Sequence, residues 1–157
     1  MISIISSVGK NMEIGKENKL IWHIPDDMRF FKNTTMGHIV IMGWKTFQSL
    51  PGPLVGREMI VISRNNNSND VKIIRDPQEI IDRYTIDDIE VFIIGGSSLY
   101  NSFLKYSTNL YLTEINDTCE DADTFFPKFE KNEWDDNVLD ENEYKSIKYK
   151  IHKYVRK

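Results

Sequence analysis

Cysteine is all but missing. One residue, Cys119, stands in a chain of 157, so no disulfide can close within it, and a reducing compartment suits it. Long apolar runs are missing too. No stretch approaches the roughly 18–20 residues needed to span a bilayer, which argues against a membrane role. The opening MISIISSVG lacks the basic start of a secretory leader, so a cytoplasmic protein is expected. No long basic block occurs, and the net charge is −4. A nucleic-acid partner is therefore not expected, although a local cationic pocket for a small anion stays open. There are no internal repeats, and no metal is expected. Heptads and apolar surface stripes are absent, which leaves a monomer as the default. G-x-G-x-x-G does not occur either, so a standard dinucleotide fold is not predicted.

What is present is ordinary for a soluble globular chain: 40% hydrophobic and 28% charged residues. The length fits a single domain over residues 1–157. Short β-branched runs recur: ISIIS (2–6), HIVIMG (38–43), MIVIS (59–63), VKIIR (71–75), VFIIGG (91–96) and LYLTEI (110–115). Most are continuous apolar blocks, as in strands buried on both faces of a largely parallel sheet. Helical segments lie between them: PDDMRFFKNTT, WKTFQSL, DPQEIIDRY and SSLYNSFLKYS. In the third, Asp76 is placed as an N-cap and Pro77 at the first helical position. The alternation predicts an α/β fold. The tail EYKSIKYKIHKYVRK (143–157) alternates tyrosine and isoleucine with lysine, the period of a half-exposed antiparallel strand at one edge. Residues 9–24 form a long connection, a length that is often functional.

The stretch IWHIPDDMRFFK (21–32) sets two carboxylates at the head of an apolar segment. Pro25 suits the first helical position. Residues three and four apart share a helix face, so Asp27 sits above Phe30 and Phe31, while Asp26 faces Arg29 as a surface ion pair. The helix dipole alone explains Asp26. It explains Asp27 less well, because dipole stabilisation does not call for an apolar face. A carboxylate held there can clamp an amidine-like N–C–N edge with paired hydrogen bonds and promote protonation of a bound ring.

At this point the motifs, in order, resemble a known family. MISIISSVG…IG, W-x-I-P-x-D, FFK, IVIMG-x-x-TF-x-S-L, PL-x-GR, VFIIGGSSLY, LYLTEI and D-T-F-FP are together similar to dihydrofolate reductase of the bacterial type. The resemblance implies a mixed, mostly parallel eight-stranded sheet flanked by helices, with an antiparallel C-terminal edge. It implies NADPH as cofactor, dihydrofolate as substrate, antifolates as inhibitors, and hydride addition at C6 with protonation at N5. Another reductase of the same fold, such as that of the riboflavin pathway, is the alternative; it should lack an acid poised for pterin.

Site residues carry over by motif. Asp27 would bind the pterin's 2-amino group and N3. Trp22 would help to hold an ordered water, or is simply a core tryptophan. Leu20 would belong to a mobile lid. Backbone carbonyls of Ile5 and Ile94 would meet the pterin edge, and Thr113 would hydrogen-bond toward Asp27. Met28, Phe31, Leu50 and Leu54 would wall the pterin and benzoyl rings. Arg57 would pair with the glutamate α-carboxylate, since a guanidinium offers two parallel donors. Lys32 would add charge there, or is an exposed helix lysine.

For the cofactor, Gly43 and Thr46 would serve the pyrophosphate. Gly95 and Gly96, joined in the family by an unusual cis peptide, would allow close backbone approach, and the amides of Ser97, Ser98 and Leu99 would complete the anion site. Tyr100 would lie near the nicotinamide, with Ser7 and Ile14 at its carboxamide. The chain departs from the pattern at Trp44, where many relatives carry an arginine for the 2′-phosphate; Lys45 and Arg64, next to Ser63, are the cations left for it. Ser97 replaces a glycine. Asp123 matches a loop aspartate that would hold the lid closed near Gly15.

Overall fold

The computed structural model describes residues 1–157. In chain order the elements are β1 (Ile2–Val8), β2 (Glu13–Lys16), β3 (Lys19–Leu20), α1 (Pro25–Thr35), β4 (Ile39–Gly43), α2 (Trp44–Ser49), β5 (Glu58–Ile62), β6 (Lys72–Ile74), α3 (Pro77–Tyr84), β7 (Val91–Ile93), α4 (Ser97–Phe103), β8 (Asn109–Ile115), β9 (Thr124–Phe125), β10 (Trp134–Tyr144) and β11 (Ile147–Arg156). Eight strands form one sheet in the order β10-β11-β8-β1-β7-β4-β5-β6. From β8 to β6 every neighbour is parallel. β11 and β10 close the other edge antiparallel. The sheet is therefore mixed and mostly parallel, as the apolar blocks predict.

Those blocks are continuous because both faces are covered. One face carries Ile2, Ile4, Ile41 and Ile93 against Ile80, Ile81 and Tyr84 of α3 and Leu99 and Phe103 of α4. The other carries Ile5, Val40, Met42, Phe92 and Tyr111 beneath Phe30 and Phe31 of α1 and Phe47 of α2. Full burial of one such isoleucine is worth about 1.5–3 kcal/mol relative to exposure, so a charge at any of these positions would unseat its helix.

Local chemistry sets the helix ends. α1 starts at Pro25 with Asp26 and Asp27 in its first turn, where the dipole favours them. It stops where the Met36 amide bonds the Lys32 carbonyl and Gly37 takes φ +78°, a conformation that suits glycine. At α3 the Asp76 carboxylate accepts the Gln78 amide at 2.9 Å, the cap read from sequence. The segment after Gly96 is helical only to Phe103 and tightens into a 3-10 turn over Leu104–Tyr106.

Two expectations need correction. Residues 9–24 are not a plain connection: β2 and β3 lie within them, and β2 also pairs with β9, making a small three-stranded sheet. The tail is not one strand from residue 143. Lys145 and Ser146, at φ +49° and +68°, turn the chain between β10 and β11 in a two-residue hairpin. β10 itself had no sequence signal, because all but its end residues are exposed. No helix is long and apolar enough to cross a membrane.

Candidate active site

Asp27 points at the end of β1 and the middle of β8. One carboxylate oxygen accepts the Ser7 hydroxyl, and the other accepts Thr113 Oγ1 at 2.5 Å. Burial raises its pKa, and the two hydroxyls pull in the opposite direction without cancelling it. Asp26, on the other side of the helix, pairs with Arg29 at the surface. Helical spacing thus sorted the two acids, and strand periodicity explains the hydroxyls. Thr113 and Ile115 share the face of β8 turned to α1, and Ser7 pairs with Thr113 across β1 and β8. The resemblance places Ser7 at the cofactor carboxamide and gives no role to its hydroxyl. No local signal marks its side chain as a partner of Asp27, because that contact depends on sheet register.

Phe31, Leu50 and Leu54 are half-buried on the α1–α2 face, packed against the cluster of Ile5, Val40 and Met42. Met28 is 55% exposed and Leu20 is 59% exposed, unlike core residues of their type. Arg57 donates from Nη1 to Thr35 Oγ1 at 3.3 Å and lies over the Phe31 ring, 5.9 Å from its centroid; partial burial lowers its pKa. Its Nε donates to the Val55 carbonyl at 3.2 Å, and with no acidic partner its Nη2 and second Nη1 hydrogen stay open to an incoming carboxylate. Lys32 is exposed in the last turn of α1.

At the C-terminal ends of β4 and β7 a cleft of about 880 Å³ runs past Gly43, Trp44, Thr46, Gly96, Ser97 and Ser98 to Ser63, Arg64 and Arg75. A smaller cavity of about 130 Å³ adjoins it beside β2 and β3, bounded by Ile14, Leu20, Ile94, Gly95 and Tyr100. The peptide between Gly95 and Gly96 is cis. Gly95 lines the smaller cavity and Gly96 borders both; a Cβ on Gly95 would stand 3.2 Å from Thr46 Oγ1, so only bare backbone fits there. Leu99 is buried behind it. Tyr100 is buried, and its hydroxyl donates to the Ile5 carbonyl at 2.9 Å. Burial drives its pKa far up, well beyond what Ser6 offsets. That carbonyl keeps a second lone pair for a ligand. Ile94 follows β7, its amide bonded to the Ile41 carbonyl at 2.9 Å.

Trp44 packs its ring on Phe47, with centroids 5.5 Å apart. Lys45, Arg64 and Arg75 have no acidic partner. Arg75 was missed in the sequence, where VKIIR reads only as the end of a strand. It donates to the carbonyls of Ser63 at 3.0 Å and Asn66 at 2.6 Å, shaping the turn that presents Arg64.

At the edge of the cleft, Asn18, in the turn between β2 and β3, donates its side-chain amide to the Lys45 carbonyl at 3.0 Å. Asp123 accepts the Glu17 amide at 2.9 Å and donates its own amide to the Gly15 carbonyl at 3.1 Å. Trp22 gives its indole N–H to Asp117 at 3.0 Å, which holds the Asp117 pKa below the ordinary range.

A parallel sheet with a long cleft across its strand ends, two glycines opening the backbone to that cleft, unpaired cations at its far end and a half-buried acid beside it define a nucleotide-dependent α/β enzyme. The sequence family described as dihydrofolate reductase matches residues 1–156. The chain is 38% identical over 136 residues to the dihydrofolate reductase of Bacillus subtilis, covering 85% of this chain and 80% of that one. It is 40% identical over 133 residues to that of Haemophilus influenzae, covering 85% and 82%. A solved dihydrofolate reductase from Enterococcus faecalis, complexed with NADP(H) and RAB-propyl, superposes with a TM-score of 0.89 at 28% identity over 99% of this chain and 96% of that one. The chain belongs to the dihydrofolate reductase family.

Proposed function

We propose the following division of labour for the reaction that family membership gives this chain, the NADPH-dependent reduction of 7,8-dihydrofolate to 5,6,7,8-tetrahydrofolate. The single observation that carries it is the Asp27 carboxylate, half-buried and held by Ser7 and Thr113. Asp27 grips the 2-amino group and N3 of the pterin and favours the protonated form at N5. Met28, Phe31, Leu50 and Leu54 hold the rings flat, and the Ile5 and Ile94 carbonyls receive the pterin edge. Arg57 takes the glutamate α-carboxylate, with Lys32 adding positive potential. A clamp of this rigidity holds C6 in place, the proximity part of catalysis.

The cleft fits the cofactor in chemistry and size: bare glycine backbone, small hydroxyls and unpaired cations in a space within the usual ligand range. When bound, NADPH supplies the hydride. Gly43, Thr46, Gly95, Gly96 and the turn Ser97–Leu99 hold the pyrophosphate. Ser7 and Ile14 backbone groups orient the carboxamide, and Tyr100 faces the nicotinamide. Leu20 and the lid exclude water. Antifolates take the pterin pocket. The enzyme works as a cytoplasmic monomer of one domain.

Mixing the protein with NADPH and dihydrofolate and following loss of the reduced-nicotinamide absorbance tests this directly; no oxidation at ample enzyme would overturn it. The same assay gives a pH profile. The rate of the chemical step should decline as pH rises through neutrality, because N5 protonation becomes harder, and a flat profile from acid to alkaline pH would contradict the role of Asp27.

Trp44 leaves the 2′-phosphate to Arg64, Arg75 and Lys45. Arg64→Ala should lower the NADPH-over-NADH ratio of kcat/KM by about tenfold, the worth of one charge-assisted contact. Kinetics with both cofactors check it; equal losses for the two would remove Arg64 from phosphate recognition.

A further inference from the structure

One fully buried carboxylate has no part in the assignments above. Glu13, 1% exposed at the start of β2, accepts the Asn11 amide at 2.7 Å on one oxygen and the Cys119 amide at 2.7 Å on the other. The first bond lies within the root of the lid. The second reaches a separate segment, residues 116–126, that runs along the lid as a strap.

The strap meets the lid repeatedly. The Lys10 amide donates to the Asp117 carbonyl at 2.9 Å, and the Phe126 amide to the Met12 carbonyl at 2.8 Å. Lys16 pairs with Asp121 at the surface, and Asp123 holds the Glu17 amide. Glu13 differs from the other charged groups here in being buried. Burial raises its pKa, but the amides of Cys119, Glu13 itself and Asn11 outweigh that and hold it below the ordinary value. It is therefore ionised whenever the enzyme works. Gly9 completes the arrangement: a Cβ there would meet the Trp22 ring at 2.4 Å and the Glu13 carboxylate at 2.5 Å. The carboxylate and the indole are packed against the same bare backbone, and Trp22 in turn bonds Asp117 of the strap.

We propose that Glu13 is a positioning residue for the reduction: its buried carboxylate locks the strap 116–126 to the root of the lid, so that lid and strap close over the cofactor cleft as one body. A charged oxygen pair suits the task because one side chain must receive two backbone N–H groups from different segments. Glutamine cannot do this, since one of its two terminal atoms is a donor and would face an N–H.

The proposal rests on the lid reading above, and hydrogen exchange in the cofactor-free protein separates the two. In Glu13→Gln, amides of residues 9–20 and 116–126 should exchange faster by about tenfold, one charged hydrogen bond's worth. Exchange in the eight-stranded sheet should be unchanged. The dissociation constant for NADPH, read by binding without substrate, should rise by a similar factor, with KM for dihydrofolate nearly unaltered. Unchanged exchange in lid and strap overturns the lock. Faster exchange with unaltered NADPH affinity overturns its bearing on the cofactor while leaving the lock. If Glu13→Gln does not fold, the wild type decides: Cys119 and Glu17 amides should gain protection together and by the same factor when NADPH is added, and independent behaviour overturns the proposal.

Discussion

Asp27→Asn should lower kcat/KM by about 10²-fold or more at neutral pH, within the usual worth of a positioned acid or base, and the chain should still fold. Asparagine keeps the size of the side chain and one oxygen for Thr113 or Ser7, but it carries no charge to favour a proton at N5. The deficit should shrink as pH falls, because solution acid then protonates the ring unaided. Stability should move the other way. Burial raises the Asp27 pKa in the folded chain, so the folded state binds this proton more tightly than the unfolded state does, and wild-type stability falls as pH rises from the ordinary aspartate value, about 3.9, through the raised one. The neutral variant escapes that loss. It should melt above wild type at pH 7, with the gap closing below about pH 4. Steady-state rates and thermal melts across pH read both effects. A variant with near-normal turnover at pH 7 would remove Asp27 from the mechanism.

The helical face of Asp27 was legible because a period of 3.6 is local: Pro25, the aspartates and the two phenylalanines lie within one helix. The parallel sheet was legible for the same reason, since burial on both faces writes itself as unbroken β-branched runs. What the sequence hid depends on partners distant along the chain. Ser7 meets Asp27 only through the β1–β8 register, and Arg75 reaches the cleft only because β6 lies beside β5. Glu13 looks like any charged loop residue until the strap covers it. β10 was invisible for a different reason. WDDNVLDENEY is acidic and, after the buried Trp134 at its start, exposed through to Glu143, so one buried residue sets no period; it is a strand because β11 offers it an edge, with Glu141 near Lys150 at 3.7 Å. Its turn uses Lys145–Ser146 rather than the Asn-Gly type that announces a hairpin. The motif resemblance supplied most of the proposed site, and the geometry adds to it the partners that hold Asp27, Arg57 and Tyr100 in place.

Gly95→Ala should damage the cofactor cleft more than any conservative change at its rim. Gly95 has φ +134°, a conformation open to glycine and strained for any residue with a Cβ. A methyl group there would also stand 3.2 Å from Thr46 Oγ1 and 3.5 Å from the Tyr100 hydroxyl. Relief by backbone rotation would turn the Gly95 carbonyl, which accepts the Gly43 amide at 2.9 Å and so ties the end of β7 to the end of β4. Relief by side-chain movement would displace Thr46 from the cleft wall. Either route disturbs the surface assigned to the pyrophosphate. Strain of about 1–3 kcal/mol should lower the melting midpoint by roughly 2–4 °C per kcal/mol. NADPH affinity should fall by more than about tenfold, a loss of over 1.4 kcal/mol. Gly37→Ala is the control for strain alone, since Gly37 has φ +78° with nothing within 4 Å of a new Cβ and lies at the end of α1, outside the cleft. It should melt lower than wild type yet bind NADPH as wild type does. If Gly95→Ala behaves like Gly37→Ala, losing stability while keeping its affinity, then the double-glycine turn serves the fold and not the cofactor.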